Sequence, residues 1–261
     1  MHYDDSKGMY LDAIFISPHK FPGGQSTPGI LIVNKNIICN KITYTPSGGT
    51  VRFCSKKNGP LYSNNIEVKE NGGTPNILGI IKCGIVFQIK DLFLDQIKDN
   101  ELYITKLFHK YLLKIQKHNK NLIILNPSNN MNRLPIFSIQ ILPYHYNFIV
   151  VLLCDLFGIT TRGGVNCSSV LAENLLHLND TDIEEINKYI SDNKGMPNNY
   201  GWIRLTLNNI HTQRDLLYII SAINYLCKNA HLYESNYRYC PNKNNYFSTT
   251  CIDGICTTFL I

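Results

Sequence analysis

The chain has 261 residues, 44% of them hydrophobic and 17% charged, an ordinary globular balance for one large domain or two modest ones with a real core. A formal charge of +6, spread without a Lys/Arg stripe interleaved with aromatics, argues against nucleic acid as a partner and supports at most a mild attraction to anions such as a phosphate. The nine cysteines lack zinc-site spacing and the first apolar run is too short for a signal or a span, so reduced thiols in the cytoplasm or an organellar matrix are expected, with no metal and no membrane partner.

In chain order, LDAIFIS (11–17) and GILIV (29–33) are short apolar runs bounded by Gly and Pro, the pattern of two buried strands. They flank the loop SPHKFPGGQSTP, which places Lys20 in a strand-to-strand connection. From Thr74 to about Ile97 apolar residues recur at helical spacing, which predicts a helix with Thr74 as N-cap and Pro75 in its first turn. A second amphipathic helix is expected over about 100–118.

Beyond residue 119 strands and helices alternate. NLIIL and PIFSIQIL precede a helix at about 146–157; then come GITTRGG, a helix near 181–191, WIRLTL and a helix near 213–228. Thr181 with Glu184 and Thr212 with Asp215 have capping-box spacing. That order suggests a small α/β domain. The Tyr-, Asn- and Cys-rich segment from about 230 shows no period and is expected to be a loosely packed tail.

Four elements have residues suited to chemistry. In SPHK an uncharged Lys20 amine can condense with an aldehyde, and Ser17 and His19 can donate hydrogen bonds to a phosphate beside it; the bland alternative is a solvated lysine after a capping serine. GGTP (72–75) offers backbone N–H groups and a hydroxyl at a helix start, suited either to an anion or simply to a cap. In RGGVNC (162–167) the glycines let Arg162 and Cys167 face one cleft, and a guanidinium biases a thiol toward thiolate. A buried inert cysteine fits the same letters. Arg204 in WIRLTL is either a fork for a carboxylate or a solvent-facing strand residue.

Taken together and in this order, DAIFISPHKFPGGQSTPGILIV, PSGGTVRF, ENGGTPNILGIIKCGIVFQI, YNFIVVLLCDLFGITTRGGVNC and GWIRLTLNNIHTQRDLLYIISAI resemble the class V aminotransferase family, the pyridoxal-phosphate enzymes that include the cysteine desulfurases. The resemblance runs from about Leu11 to about Asn229. It implies the α/β fold of a fold-type I pyridoxal-phosphate-dependent transferase, with pyridoxal 5'-phosphate as cofactor and an amino acid as substrate. Lys20 matches the Schiff-base lysine, and Ser17 and His19 match positions that hold the cofactor phosphate. Thr74 matches a position that reaches the phosphate in the partner's site of a homodimer. Arg204 matches the arginine that clamps the substrate carboxylate, with Arg162 assigned to the substrate too. Cys167 matches the desulfurase cysteine that takes up sulfur.

In that family most of the large domain precedes the lysine, whereas nineteen residues precede Lys20 here. The expectation is therefore the C-terminal part of such an enzyme. Residues 1–105 would be the end of the large domain with the lysine loop, 106–229 the small C-terminal α/β domain, and 230–261 the tail. The expected function is a desulfurase-like reaction on an amino acid, as a homodimer or with an N-terminal partner segment. Two alternatives stand beside it. One is a transaminase or lyase that makes no use of Cys167 as a sulfur acceptor. The other is a catalytically silent fragment that serves as an interaction or dimerisation module.

Overall fold

The computed structural model describes residues 8, 11–125, 133–165 and 169–249. The chain separates into two compact units at 94/95.

The first unit is built from small pieces. Strand β1 (Ala13–Ile16) pairs antiparallel with β2 (Ile30–Val33), Ala13 opposite Val33 and Ile16 opposite Ile30. Strand β3 (Val51–Ser55) pairs with β4 (Gly59–Tyr62) as a second two-stranded ribbon. A short helix α1 (Ile66–Glu70) follows, then α2 (Ile77–Leu92). β1 and β2 lie where the apolar runs predict, but they are not buried: Phe15 is 81% exposed and Leu31 and Ile32 are each 54% exposed. A ribbon of two strands has no neighbouring sheet to cover its faces, so apolar alternation alone does not bury them.

Helix α2 begins later than Thr74. Its N-cap is Asn76, whose side chain accepts the Gly79 N–H at 3.0 Å. Both residue types suit an N-cap. Here Pro75 also lies outside the helix, and its carbonyl accepts the Ile77 N–H at 2.9 Å.

The second unit is a four-stranded antiparallel sheet with helices packed on it. Helix α3 (Leu94–His118) leads into β5 (Leu122–Leu125) and β6 (Ile136–Ile141), followed by α4 (Tyr146–Phe157). Next come β7 (Arg162–Gly164), α5 (Ser169–Leu176), α6 (Asp180–Ser191), β8 (Trp202–Thr206) and α7 (Gln213–Asn229). The sheet order is β5-β6-β8-β7, so the two strands nearest α7 in sequence, β7 and β8, are neighbours at one edge.

Alternation along the strands assigns the faces. Leu122, Ile124, Phe137, Ile139, Ile141, Ile203 and Leu205 form the main core with Phe108 and Leu112 of α3, Ile149 and Leu152 of α4, and Leu216 and Ile223 of α7. The intervening positions Leu125 and Trp202 pack with Ala172 of α5 in a smaller cluster. Each fully buried Leu, Ile or Phe contributes roughly 1.5–3 kcal/mol, so the helix-covered face dominates this unit's stability.

Two expectations need correction in this unit. Helix α6 is capped by Asn179 with Asp182, two residues before the predicted Thr181/Glu184 pair; Thr181 instead hydrogen-bonds the Asn179 side chain. The segment after 230 is not loosely packed over its described residues. Strands β9 (Tyr237–Cys240) and β10 (Asn245–Ser248) form an antiparallel hairpin. Tyr237 and Tyr246 pack against Phe148 of α4 at 5.9 and 5.1 Å between ring centroids. Aromatic rings supply that burial, and the alternation of Tyr237 and Tyr239 is too short a run to betray it. The Thr212/Asp215 box at the start of α7 is present as predicted.

Candidate functional site

Lys20 ends a single 3-10 turn, Pro18–Lys20, that leaves β1 directly. The turn is closed by the Lys20 N–H on the Ser17 carbonyl at 3.0 Å and the Phe21 N–H on the Pro18 carbonyl at 2.9 Å. Pro18 is buried while His19 and Lys20 are exposed. Beyond it the chain folds back so tightly that a Cβ on Gly24 would collide with the Pro18 carbonyl; only glycine fits there. Thr27, itself buried, ties the return by donating its hydroxyl to the Gly24 carbonyl at 2.7 Å.

Helix α2 braces this loop from one side. Phe21 packs edge-on against Phe87 at 5.3 Å, with the Lys90 ammonium 4.0 Å from its ring centre. Lys82 donates to the Gln25 carbonyl at 2.6 Å. Asn76, which caps α2 through its carbonyl oxygen, donates its amide to the Ser26 carbonyl at 3.1 Å. One side chain thus joins the GGTPN loop to the lysine loop. Sequence reasoning overlooked it, although an asparagine immediately before an apolar helical run is a usable signal. Among the described residues the side chains of Ser17, His19 and Lys20 engage no hydrogen-bond partner, so a rigid backbone presents three uncommitted polar groups.

Thr74 is exposed, in a loop whose Gly73 N–H is held by the Gly48 carbonyl at 2.8 Å. The two glycine segments PSGG and GGTP, far apart in sequence, are therefore adjacent. Thr50, fully buried, closes the first of them by donating its hydroxyl to the Ser47 carbonyl at 2.6 Å.

In the second unit the structure pairs two of the predicted residues. Arg162 of β7 stands directly opposite Arg204 of β8, with Ser138 of β6 opposite Arg204 on its other side. Directly opposed residues project from the same face of a sheet. Arg204 is half-buried, and its Nε has no partner among the described residues. A buried donor left unpaired costs about 1–3 kcal/mol. An anion that reaches Arg204 would satisfy this donor, and a carboxylate matches the fork geometry of guanidinium.

The close approach of α4 to β7 explains the glycines of the RGG segment. A Cβ on Gly163 would run into the Asn147 and Tyr146 side chains. Asn147 in turn donates to the Asn244 carbonyl, while Asn244 donates to the Tyr146 hydroxyl at 3.1 Å. The edge strand that carries Arg162 is thereby fastened to α4 and the β9–β10 hairpin.

Cys167 lies outside the described residues. Among described cysteines, Cys227 is buried and burial pushes its thiol up to about 12, which keeps it protonated and inert. Lys20, Ser17, His19 and Thr74 belong to the first unit and Arg162 and Arg204 to the second. No helix among the described residues is long and apolar enough to cross a membrane.

The profile of the family described as aminotransferase class-V matches residues 3–218. Among solved structures, the chain is similar to the apo cysteine desulfurase of Thermococcus onnurineus NA1, with a TM-score of 0.65 and 18% identity over 85% of this chain and 48% of that one. It is also similar to the cysteine desulfurase CsdA of Escherichia coli, with a TM-score of 0.55 and 16% identity over 82% and 45% of the two chains. For a NifS-like protein from Rickettsia africae ESF-5 the values are 0.52 and 23%, over 83% and 47%. The chain thus shares its fold with cysteine desulfurases and spans about half the length of these solved relatives. No curated protein matches it.

Proposed function

The chain belongs to the class-V aminotransferase family, and from that premise we propose that it is a pyridoxal-phosphate-dependent enzyme of the cysteine desulfurase kind, acting on an amino acid. The observation that carries the reading is Arg204, half-buried opposite Arg162 with its Nε unpartnered among the described residues, a donor suited to a carboxylate. The fold shared with cysteine desulfurases supports it.

The lysine loop fits the cofactor: an exposed amine and two uncommitted polar side chains stand on a turn that glycine and α2 hold rigid. When bound, pyridoxal phosphate supplies an electron sink for charge developing at the substrate Cα. Lys20 is the amine that carries it and, once released, moves the proton at Cα. Ser17 and His19 hold the phosphate. Thr74 reaches the phosphate of the partner copy in a homodimer. Arg204, with Arg162, grips the substrate carboxylate. The Cys167 thiolate accepts the substrate sulfur, leaving alanine.

The test is spectroscopic. Purified chain mixed with pyridoxal phosphate should develop a visible absorbance band, and borohydride should then fix the cofactor to Lys20, detectable by peptide mass. Lys20→Ala should lose both. Failure of the chain, alone and with an added N-terminal segment from a relative, to form this adduct overturns the reading. With an active preparation, full turnover of an amino acid by Cys167→Ser would assign transaminase or lyase chemistry instead of sulfur transfer.

A second reading has its own support. Large apolar side chains of β1, β2 and α2 are exposed, Leu78 at 80% among them, which suits a catalytically silent module that binds another protein surface. A stable chain that binds its partner with no cofactor adduct would favour this module.

A further inference from the structure

On the helix-covered side of the second unit's sheet lies a cavity of about 410 Å³, within the range of small-molecule sites. It forms where the β7–β8 ladder stops at Arg162/Arg204. It is lined by the chain between α4 and β7 (157–161), by Leu205 and Leu207, and by the first turns of α7. Leu205 and Leu207 alternate with Arg204 along β8, so their side chains line the opposite face from the arginine pair.

The lining divides into an apolar floor and a polar mouth. Leu205, Leu207 and Ile219 are buried, at 2, 5 and 8% exposure. Thr161 presents a buried hydroxyl oxygen with no partner among the described residues. Asp215 is the one carboxylate, lysine or arginine among the described residues that line the cavity. Its Oδ2 accepts the Thr212 N–H at 2.8 Å and the Thr212 hydroxyl at 2.7 Å; its Oδ1 has no partner among the described residues. Those hydrogen bonds, with smaller contributions from His211 and Arg214 nearby, hold the carboxyl below its usual range, so the group is anionic. Of the other polar groups in the lining, Tyr218 donates to the Phe157 carbonyl at 2.9 Å and His211 Nδ1 lies 3.2 Å from the Asn208 N, while Thr160 and Thr206 add hydroxyls. The same wall carries the C-terminal end of α4, closed by Gly158 in the left-handed region, whose partial charge is negative.

We infer that this cavity binds a small amphiphilic ammonium: an apolar body on Leu205, Leu207 and Ile219, its cationic head at Asp215 Oδ1 and the Thr161 hydroxyl. The carboxylate and the α4 carbonyl end favour a cationic head over an anion, against the opposing positive groups His211, Arg214 and the first turn of α7. The apolar floor selects the body, because a hydrated inorganic cation gains nothing from it.

Phenethylammonium is a suitable probe and 2-phenylethanol its neutral counterpart, titrated into the full chain by calorimetry and heteronuclear NMR. The ammonium should bind about fivefold more tightly than the alcohol, as one exposed ion pair provides, and the difference should shrink with added salt. Shifted resonances should cluster at Thr161, Leu207 and Asp215. Asp215→Asn should bring the ammonium down to the alcohol's affinity, while Asp192→Asn elsewhere on the surface should change nothing. Equal binding of the two probes to the unaltered chain, binding of neither, or shifts centred elsewhere would overturn the assignment without reliance on any variant.

Discussion

The two units use similar apolar content in opposite ways. In residues 95–249 strands and helices form layers, and Phe108, Leu112, Ile149, Leu152 and Leu216 are completely excluded from water. In residues 11–94 the buried apolar side chains are Pro18, Cys83 and Val86, while Ile77, Leu78, Ile81, Ile85 and Leu92 of one helix are each at least half exposed. The difference shows that an apolar pattern becomes a core only when a second layer faces it. Two-stranded ribbons beside a helix cannot supply that layer.

The sharpest way to break the comparison is mutational. Phe108→Ala should cost about 4 kcal/mol in denaturant unfolding, since it empties a closed core. The equally apolar Leu78→Ala should cost less than ~0.5 kcal/mol. A large, concentration-dependent cost at Leu78 would mean that an assembly buries this helix face.

Acid should come next in size and act on the second unit. His145 caps α4 by accepting the Asn147 N–H at Nδ1, and burial pushes its pKa from near 6.5 down to about 4. The folded state therefore resists protonation that the unfolded chain accepts. Stability is fully present above pH 6.5 and lost as pH falls toward 4, by about 3 kcal/mol. Urea unfolding of the native chain and His145→Asn across that window should differ in slope; identical slopes would remove His145 from the account.

Caps should show a smaller effect, similar in the two units. Asn76→Ala and Thr212→Ala should each cost about 1 kcal/mol. Thr74→Ala should leave stability unchanged within ~0.5 kcal/mol, because Thr74 does not cap α2. Thermal unfolding of the three variants distinguishes the caps directly.

What could be read in advance follows how local the signal is. The β1 and β2 segments, α4, β8 and α7 with its Thr212/Asp215 box are legible because period and cap residues lie within a few positions of one another. Caps at Asn76 and Asn179 were misplaced by two residues in each case, since several suitable oxygens compete at a helix start and backbone direction chooses among them. The β9–β10 hairpin was missed because its burial rests on aromatic contacts with α4.

For the candidate site, the types and order of residues were legible in the chain: a lysine in a glycine-closed loop, two glycine segments, and two arginines on strand-like runs. Sequence by itself determined the family and the chemical groups available, because these depend on residue identity and order. Only the tertiary structure decided that Gly48 holds Gly73, that Asn76 links its loop to Ser26, and that Arg162 stands across from Arg204. Register and loop contact arise from long-range pairing, in which a one-residue slip turns a side chain to the other face, and no local pattern encodes that choice.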